Sequence, residues 1–93
     1  MNVDVHHDTA HHRFTANVEG SHCVLDYRLS EEVMSITHTG VPARVGGRGV
    51  AAEMTRTALE TARMAGWKVV PLCSYAAAYM RRHPQYEDLR ARH

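Results

Sequence analysis

The chain has 93 residues, enough for one domain whose core buries roughly 60–65% of the surface the unfolded chain exposes. A formal charge of +1 gives no electrostatic reason to expect nucleic acid or an acidic membrane as partner. There is no apolar run of about 18 residues and no secretory-leader pattern. With only Cys23 and Cys73 there is no disulfide scaffold either, so a reducing, cytoplasmic setting is expected.

Residues 1–13 are polar and carry His6, His7, His11 and His12. Imidazole binds zinc, nickel or copper well, but beyond Asp4 and Asp8 nothing here closes a metal site. A flexible terminus without metal is the expectation. Phe14 to Glu19 then alternates, with Phe14, Ala16 and Val18 on one face, and Gly20-Ser21 reads as a two-residue hairpin turn. The return strand from His22 to Leu29 places Cys23, Leu25, Tyr27 and Leu29 together, which makes Cys23 a packing residue. Ser30-Glu31-Glu32 turns the chain into a third strand, Val33 to Thr39, with Met34, Ile36 and His38 on one side. An antiparallel three-stranded meander follows from this pattern.

The stretch His38 to Ala51, HTGVPARVGGRGVA, leads from the end of that strand through three glycines into a helical pattern. A strand, a glycine loop and a helix N-terminus in that order form an anion seat, because the first N–H groups of a helix lack intrahelical partners. From Arg48 to Ala65 the period is helical, with Ala51, Met54, Ala58, Ala62 and Ala65 in one stripe and Gly66 at the C′ position. Trp67 to Cys73 reads as a buried strand, running parallel to the third through a right-handed crossover. Ser74 is a candidate N-cap for a second helix, Tyr75 to Arg82, which Pro84 ends. Gln85 to His93 is charged and expected on the surface.

THTGVP at 37–42, GGRGVA at 46–51 and VVPLCSYAAAYMRRHPQY at 69–86, in this order and spacing, resemble the GNAT superfamily of acetyl-CoA-dependent N-acetyltransferases. Within it the chain is most similar to the very short, YjdJ-like branch. The resemblance implies an α+β, minimal GNAT fold: the meander, a helix, a parallel strand and a short C-terminal helix, all in residues 14–93. It implies acetyl-CoA as co-substrate and an amine as acceptor, in a monomer or weak homo-oligomer. Gly46, Gly47, Arg48, Gly49, Val50 and Ala51 fall on the superfamily's pyrophosphate loop, although Gly46 stands where Gln or Arg is usual. The Val41 region would pair with the pantetheine arm, backbone N–H groups from Thr39 to Val41 would meet the carbonyl oxygen, Arg44 and Arg48 would add charge or stand as solvated surface residues, and Ser74 and Tyr75 would line the coenzyme side. The two helices that wall the acceptor site in larger members have no counterpart before the first hairpin, so that side should be open, or completed by another subunit or by the substrate itself.

Acetyl transfer needs a neutral amine, a stabilised carbonyl oxygen and a proton for the departing thiolate. His38 is the candidate base or water relay, histidine being the side chain that titrates nearest neutrality, although its place beside Met34 and Ile36 also reads as a hydrogen-bonded core histidine. Cys73, at a strand end and just before a helix, is the candidate acid or, in a ping-pong route, an acetyl acceptor. Direct transfer is the expected route. Tyr79 is a further candidate acid, but Met80 competes for that position, and packing of Tyr79 on Tyr75 is equally consistent with the spacing. Arg81 and Arg82 read as solvated helix-end residues. A coenzyme-binding module without turnover and an interaction domain without ligand remain as alternatives.

Overall fold

The computed structural model describes residues 3–91. Seven regular elements follow one another: β1 (His6–Asp8), β2 (Arg13–Val18), β3 (Ser21–Ser30), β4 (Val33–Gly40), α1 (Val50–Ala65), β5 (Lys68–Pro71) and α2 (Ser74–Arg82). The strands form one sheet in the order β1-β2-β3-β4-β5, antiparallel throughout except that β4 and β5 run parallel. This is the α+β arrangement the sequence predicts.

The alternation of apolar residues decides which face of the sheet is covered. Phe14, Ala16, Cys23, Leu25, Tyr27, Met34, Ile36 and Val69 are all buried. Against them α1 lays Met54, Ala58, Leu59 and Ala62, and α2 lays Ala76 and Met80. The helix α1 contacts β2 to β5 and also α2, while α2 contacts β4 and β5, so both helices share one face. Among the described residues the opposite face carries no helix. That is why β5 is not buried on both sides as expected: Lys68 is exposed and Val70 only half-buried.

The first hairpin turn sits one residue from where the sequence suggests, and the second falls within the expected Ser30-Glu31-Glu32. Val18 pairs with Ser21, which leaves Glu19 and Gly20 as the two loop residues, at φ of 50° and 80°. Two positive φ values in succession make the type I′ turn that matches strand twist. The second hairpin is likewise closed by Glu31 and Glu32, between the pair Ser30 and Val33. Helix α1 starts at Val50 rather than Arg48, because Gly49 adopts φ 80° as its N-cap. Cys73, not Ser74, is the N-cap of α2.

Toward both ends the described residues are more structured than composition suggests. Instead of a flexible run, residues 6–8 form an edge strand on β2, followed by a 3₁₀ turn, Thr9–His11, in which Asp8 accepts from the His11 N–H. The histidines supply the attachment: His7 stacks on Phe14 at 4.1 Å and its Nε2 lies 2.7 Å from the Tyr27 hydroxyl, while His12 stacks on Tyr27. The expectation for Met1 and Asn2 lies outside the described residues. At the other end, Pro84–Leu89 forms a 3₁₀ helix that buries Tyr86 and Leu89. Arg90 then bridges Val69 on the outer edge of β5.

Burial holds the His7 imidazole below its ordinary pKa, and His12 and His6 push the same way against the opposing pull of Asp8. The unfolded chain therefore binds this proton more readily than the folded one, so stability rises with pH in that range. The contribution of His7 is in place above the ordinary value of 6.5 and is lost as pH falls through the lower folded-state value. The melting temperature should drop between pH 7.5 and 5.5, and His7→Phe, which keeps the stack on Phe14, should shrink that drop.

Candidate active site

The site is built by a break in one strand. Along most of the β3/β4 ladder the pairing is regular, with Leu29 opposite Met34 and Tyr27 opposite Ile36. The next partners are Asp26 and His38, so Thr37 is an extra residue and β4 bulges. Its hydroxyl donates to the Asp26 carbonyl at 3.3 Å. One inserted residue reverses the facing of everything after it. Thr39, opposite Leu25, now points to the covered face. His38 points to the open face, with Asp26 beside it and Arg13 donating to that carboxylate at 2.7 Å. The shared face expected for Met34, Ile36 and His38 is therefore corrected: Met34 and Ile36 are buried, and His38 is exposed.

The His38 ring lies back along its own strand. A Cβ placed on Gly40 would stand 3.0 Å from His38 Nε2 and 3.5 Å from a Val24 methyl. Gly40 is thus the residue that lets the imidazole rest on the strand.

The bulge also ends the parallel seam. Pairing of β4 with β5 runs only from Val33/Lys68 to Ile36/Pro71. The Ile36 carbonyl then accepts from both Leu72 N–H and Cys73 N–H, each at 3.0 Å, and the strands part. Leu72 is 64% exposed at this point. Across the opening, Cys73 Sγ lies 3.5 Å from the Thr39 hydroxyl, on the covered side. Burial raises the Cys73 pKa, but the N–H of Ala76, the Thr39 hydroxyl and the N–H groups of Tyr75 and Thr39 together outweigh it, so the thiol is more acidic than usual. These are groups that favour a thiolate. As a neutral thiol the sulfur makes no capping bond to α2. By contrast Cys23, enclosed in the core, has its pKa raised by burial.

Beyond Gly40 the chain turns through Pro42 into a single 3₁₀ turn, Ala43–Val45, whose Val45 is fully buried. Val41 packs at the edge of the core. Gly46, Gly47, Arg48 and Gly49 are all exposed, and Val50 is buried again as α1 begins, with Ala51 half-buried behind it. Gly47 and Gly49 both take φ 80°, with open space where a Cβ would be. The guanidinium groups of this region are turned toward the β2/β3 hairpin: Arg44 donates to the Glu19 carbonyl at 2.8 Å and Arg48 pairs with the Glu19 carboxylate.

Of the residues singled out from sequence, Thr39 and Cys73 are brought together and His38 is set on the other face. On α2, Ser74 is exposed, and Tyr75 lies 6.5 Å from Tyr79, centroid to centroid. Tyr79 is mostly buried and stacks on His83 at 3.9 Å, while Met80 is fully enclosed. Sequence reasoning missed Glu19 and the Asp26–Arg13 pair, since neither belongs to a contiguous motif.

A glycine loop at the start of α1 leads to a parted pair of strands, with the Cys73 thiol on one side of the opening and the His38 imidazole on the other. Comparison with known proteins identifies the family. Residues 13–89 match the model of a family described as GCN5-related N-acetyl-transferase. Protein NATD1 of Gallus gallus is 29% identical over 85 residues, which cover 88% of this chain and 77% of that protein. Protein NATD1 of Homo sapiens is also 29% identical over 85 residues, 88% of this chain and 75% of that one. In fold, the chain is similar to a GCN5-like protein of Staphylococcus aureus solved by NMR, with TM-score 0.76 and 24% identity, covering 97% of this chain and 89% of that one. The chain belongs to the GCN5-related N-acetyltransferase family.

Proposed function

We propose that this protein transfers an acetyl group from acetyl-CoA to an amine, by direct attack across the opening between β4 and β5. The observation that carries the reading is the seam that ends at Ile36/Pro71 beside a glycine loop opening a helix. The residues fit the coenzyme: the Gly46 N–H is taken by the Ala43 carbonyl, but the loop from Gly47 to Ala51 offers main-chain N–H groups and, at Gly47 and Gly49, no Cβ to keep a phosphate away. Thr39 and Val41 lie along the line the pantetheine arm would follow, with Ser74 and Tyr75 on its far side. Acetyl-CoA itself supplies the activated carbonyl.

His38 would take a proton from the incoming amine on the open face. As the carbonyl carbon bonds to nitrogen and the carbon–sulfur bond breaks, Cys73 would hand its proton to the departing sulfur from the covered side. The Thr39 hydroxyl and the helix N–H groups would then hold the Cys73 thiolate until a proton returns. Base and acid on opposite faces suit a reaction whose two substrates arrive from opposite sides. Tyr79, stacked and mostly buried, is better suited to packing than to proton transfer.

Coenzyme A at about 100 times its dissociation constant should stabilise the fold by about 2.7 kcal/mol in a thermal-shift series. No shift at millimolar coenzyme would end this reading. In thiol-release assays with a panel of amines, Cys73→Ala and His38→Ala should each lower kcat by about 100-fold, with coenzyme affinity kept. Acceptor-independent gain of one acetyl group in intact mass, lost in Cys73→Ala, would instead favour the acyl-cysteine route. Coenzyme binding without product from any amine would favour a binding module.

The two thiols should also separate chemically. Because the Cys73 pKa is lowered and that of Cys23 raised, iodoacetamide at pH 7 should label Cys73 first. Coenzyme A should slow that labelling, and Cys23 should react only on unfolding.

A further inference from the structure

Between Val45 and Val50, both buried, the loop consists of Gly46, Gly47, Arg48 and Gly49. Arg48 is its only side chain, and it is flanked by two glycines at φ 80° whose missing Cβ atoms would touch nothing. The loop's ends are tied locally, the Gly46 N–H to the Ala43 carbonyl at 3.1 Å and the Gly49 carbonyl to the Glu53 N–H at 3.0 Å, but glycines leave a chain free to wander and among the described residues no such main-chain bond holds the middle of the loop. What fixes it lies 29 residues away in sequence, where Arg48 pairs with the Glu19 carboxylate at the tip of the β2/β3 hairpin. Arg44, on the preceding turn, donates to the carbonyl of the same residue at 2.8 Å. Glu31 and Glu32, at the tip of the other hairpin, form no ion pair among the described residues. The hairpin tip is itself held rigidly by its type I′ turn and by the Val18–Ser21 pair.

We propose that Glu19 is a positioning residue for the glycine loop: by engaging Arg48 through its carboxylate and Arg44 through its carbonyl, it holds the loop's peptide N–H groups ready for the coenzyme's diphosphate. Arg48 serves this purpose as a handle rather than as a phosphate contact. A loop ordered before binding loses less freedom when the ligand arrives, and the difference appears as affinity. The inference rests on the coenzyme reading above and adds to it a residue outside the loop and the cleft.

Calorimetry with coenzyme A on the full chain tests it, using Glu19→Gln, Glu19→Arg, Arg48→Glu and the double exchange Glu19→Arg/Arg48→Glu. Glu19→Gln removes the charge without disturbing the turn, and should weaken binding about fivefold, in keeping with an exposed but networked pair. Its melting temperature without ligand should not change, and KM for acetyl-CoA should rise while kcat stays. Glu19→Arg and Arg48→Glu should each weaken binding further, and the double exchange should return affinity to within about twofold of wild type. If the double exchange stays as weak as Arg48→Glu, Arg48 meets phosphate directly and the inference is overturned. Tighter binding by Glu19→Gln overturns it too, since Glu19 would then be a competitor. Equal binding by wild type and Glu19→Gln overturns the inference alone, whereas a wild type that binds no coenzyme removes the coenzyme reading and the inference with it.

Discussion

One inserted residue in β4 governs the chemistry this fold can support. Without the bulge at Thr37, the parallel ladder to β5 would continue and His38 would lie in the core with Met34 and Ile36. With it, the strand changes facing and its partner falls away. Main-chain groups that a regular sheet would consume are left beside an opening. Thr39 comes to face Cys73, and His38 is moved to the opposite surface. The bulge therefore does two things at once: it ends the β4/β5 seam, and it divides the candidate acid and base between the two sides of the sheet.

The acidity of Cys73 depends on the same event. Burial alone would make this thiol a weaker acid, as it does for Cys23. The difference lies in donors that converge on the Cys73 sulfur from two elements, the start of α2 and the displaced strand end at Thr39. Helix and strand both contribute to the lowering. A thiol at the same helix terminus, without the hydroxyl and N–H of Thr39, would keep more of its burial penalty.

How much of this could be read in the letters depends on the range of each interaction. The meander, α1 and the parallel β5 announce themselves through local periodicity, and the glycine loop through its composition. The bulge does not. Met34, Ile36 and His38 keep perfect alternation in sequence, and the extra residue becomes visible only when pairing partners on β3 are counted. The one hint is that the apolar pattern stops at Ile36 and gives way to Thr37-His38-Thr39-Gly40. The N-terminal strand escaped notice for another reason: its anchors are histidines, which attach by stacking and hydrogen bonding rather than by an aliphatic stripe. Glu19 was out of reach because its partner belongs to a loop beyond two further strands. Family resemblance supplied the rest of the site, and it did so at the level of motifs rather than of geometry.

The bareness of the second sheet face and the short β4/β5 seam bear on how the molecule assembles. The antiparallel hairpins close through two-residue turns, so their contacts are local and cheap in chain entropy. The seam joins Val33–Ile36 to Lys68–Pro71, across the whole of α1 and the glycine loop. It is the long-range closure of this topology, and the opening at its end exists only once it has formed. A partly folded chain that already holds its meander thus has no cleft, so that the opening is a mark of the completed fold.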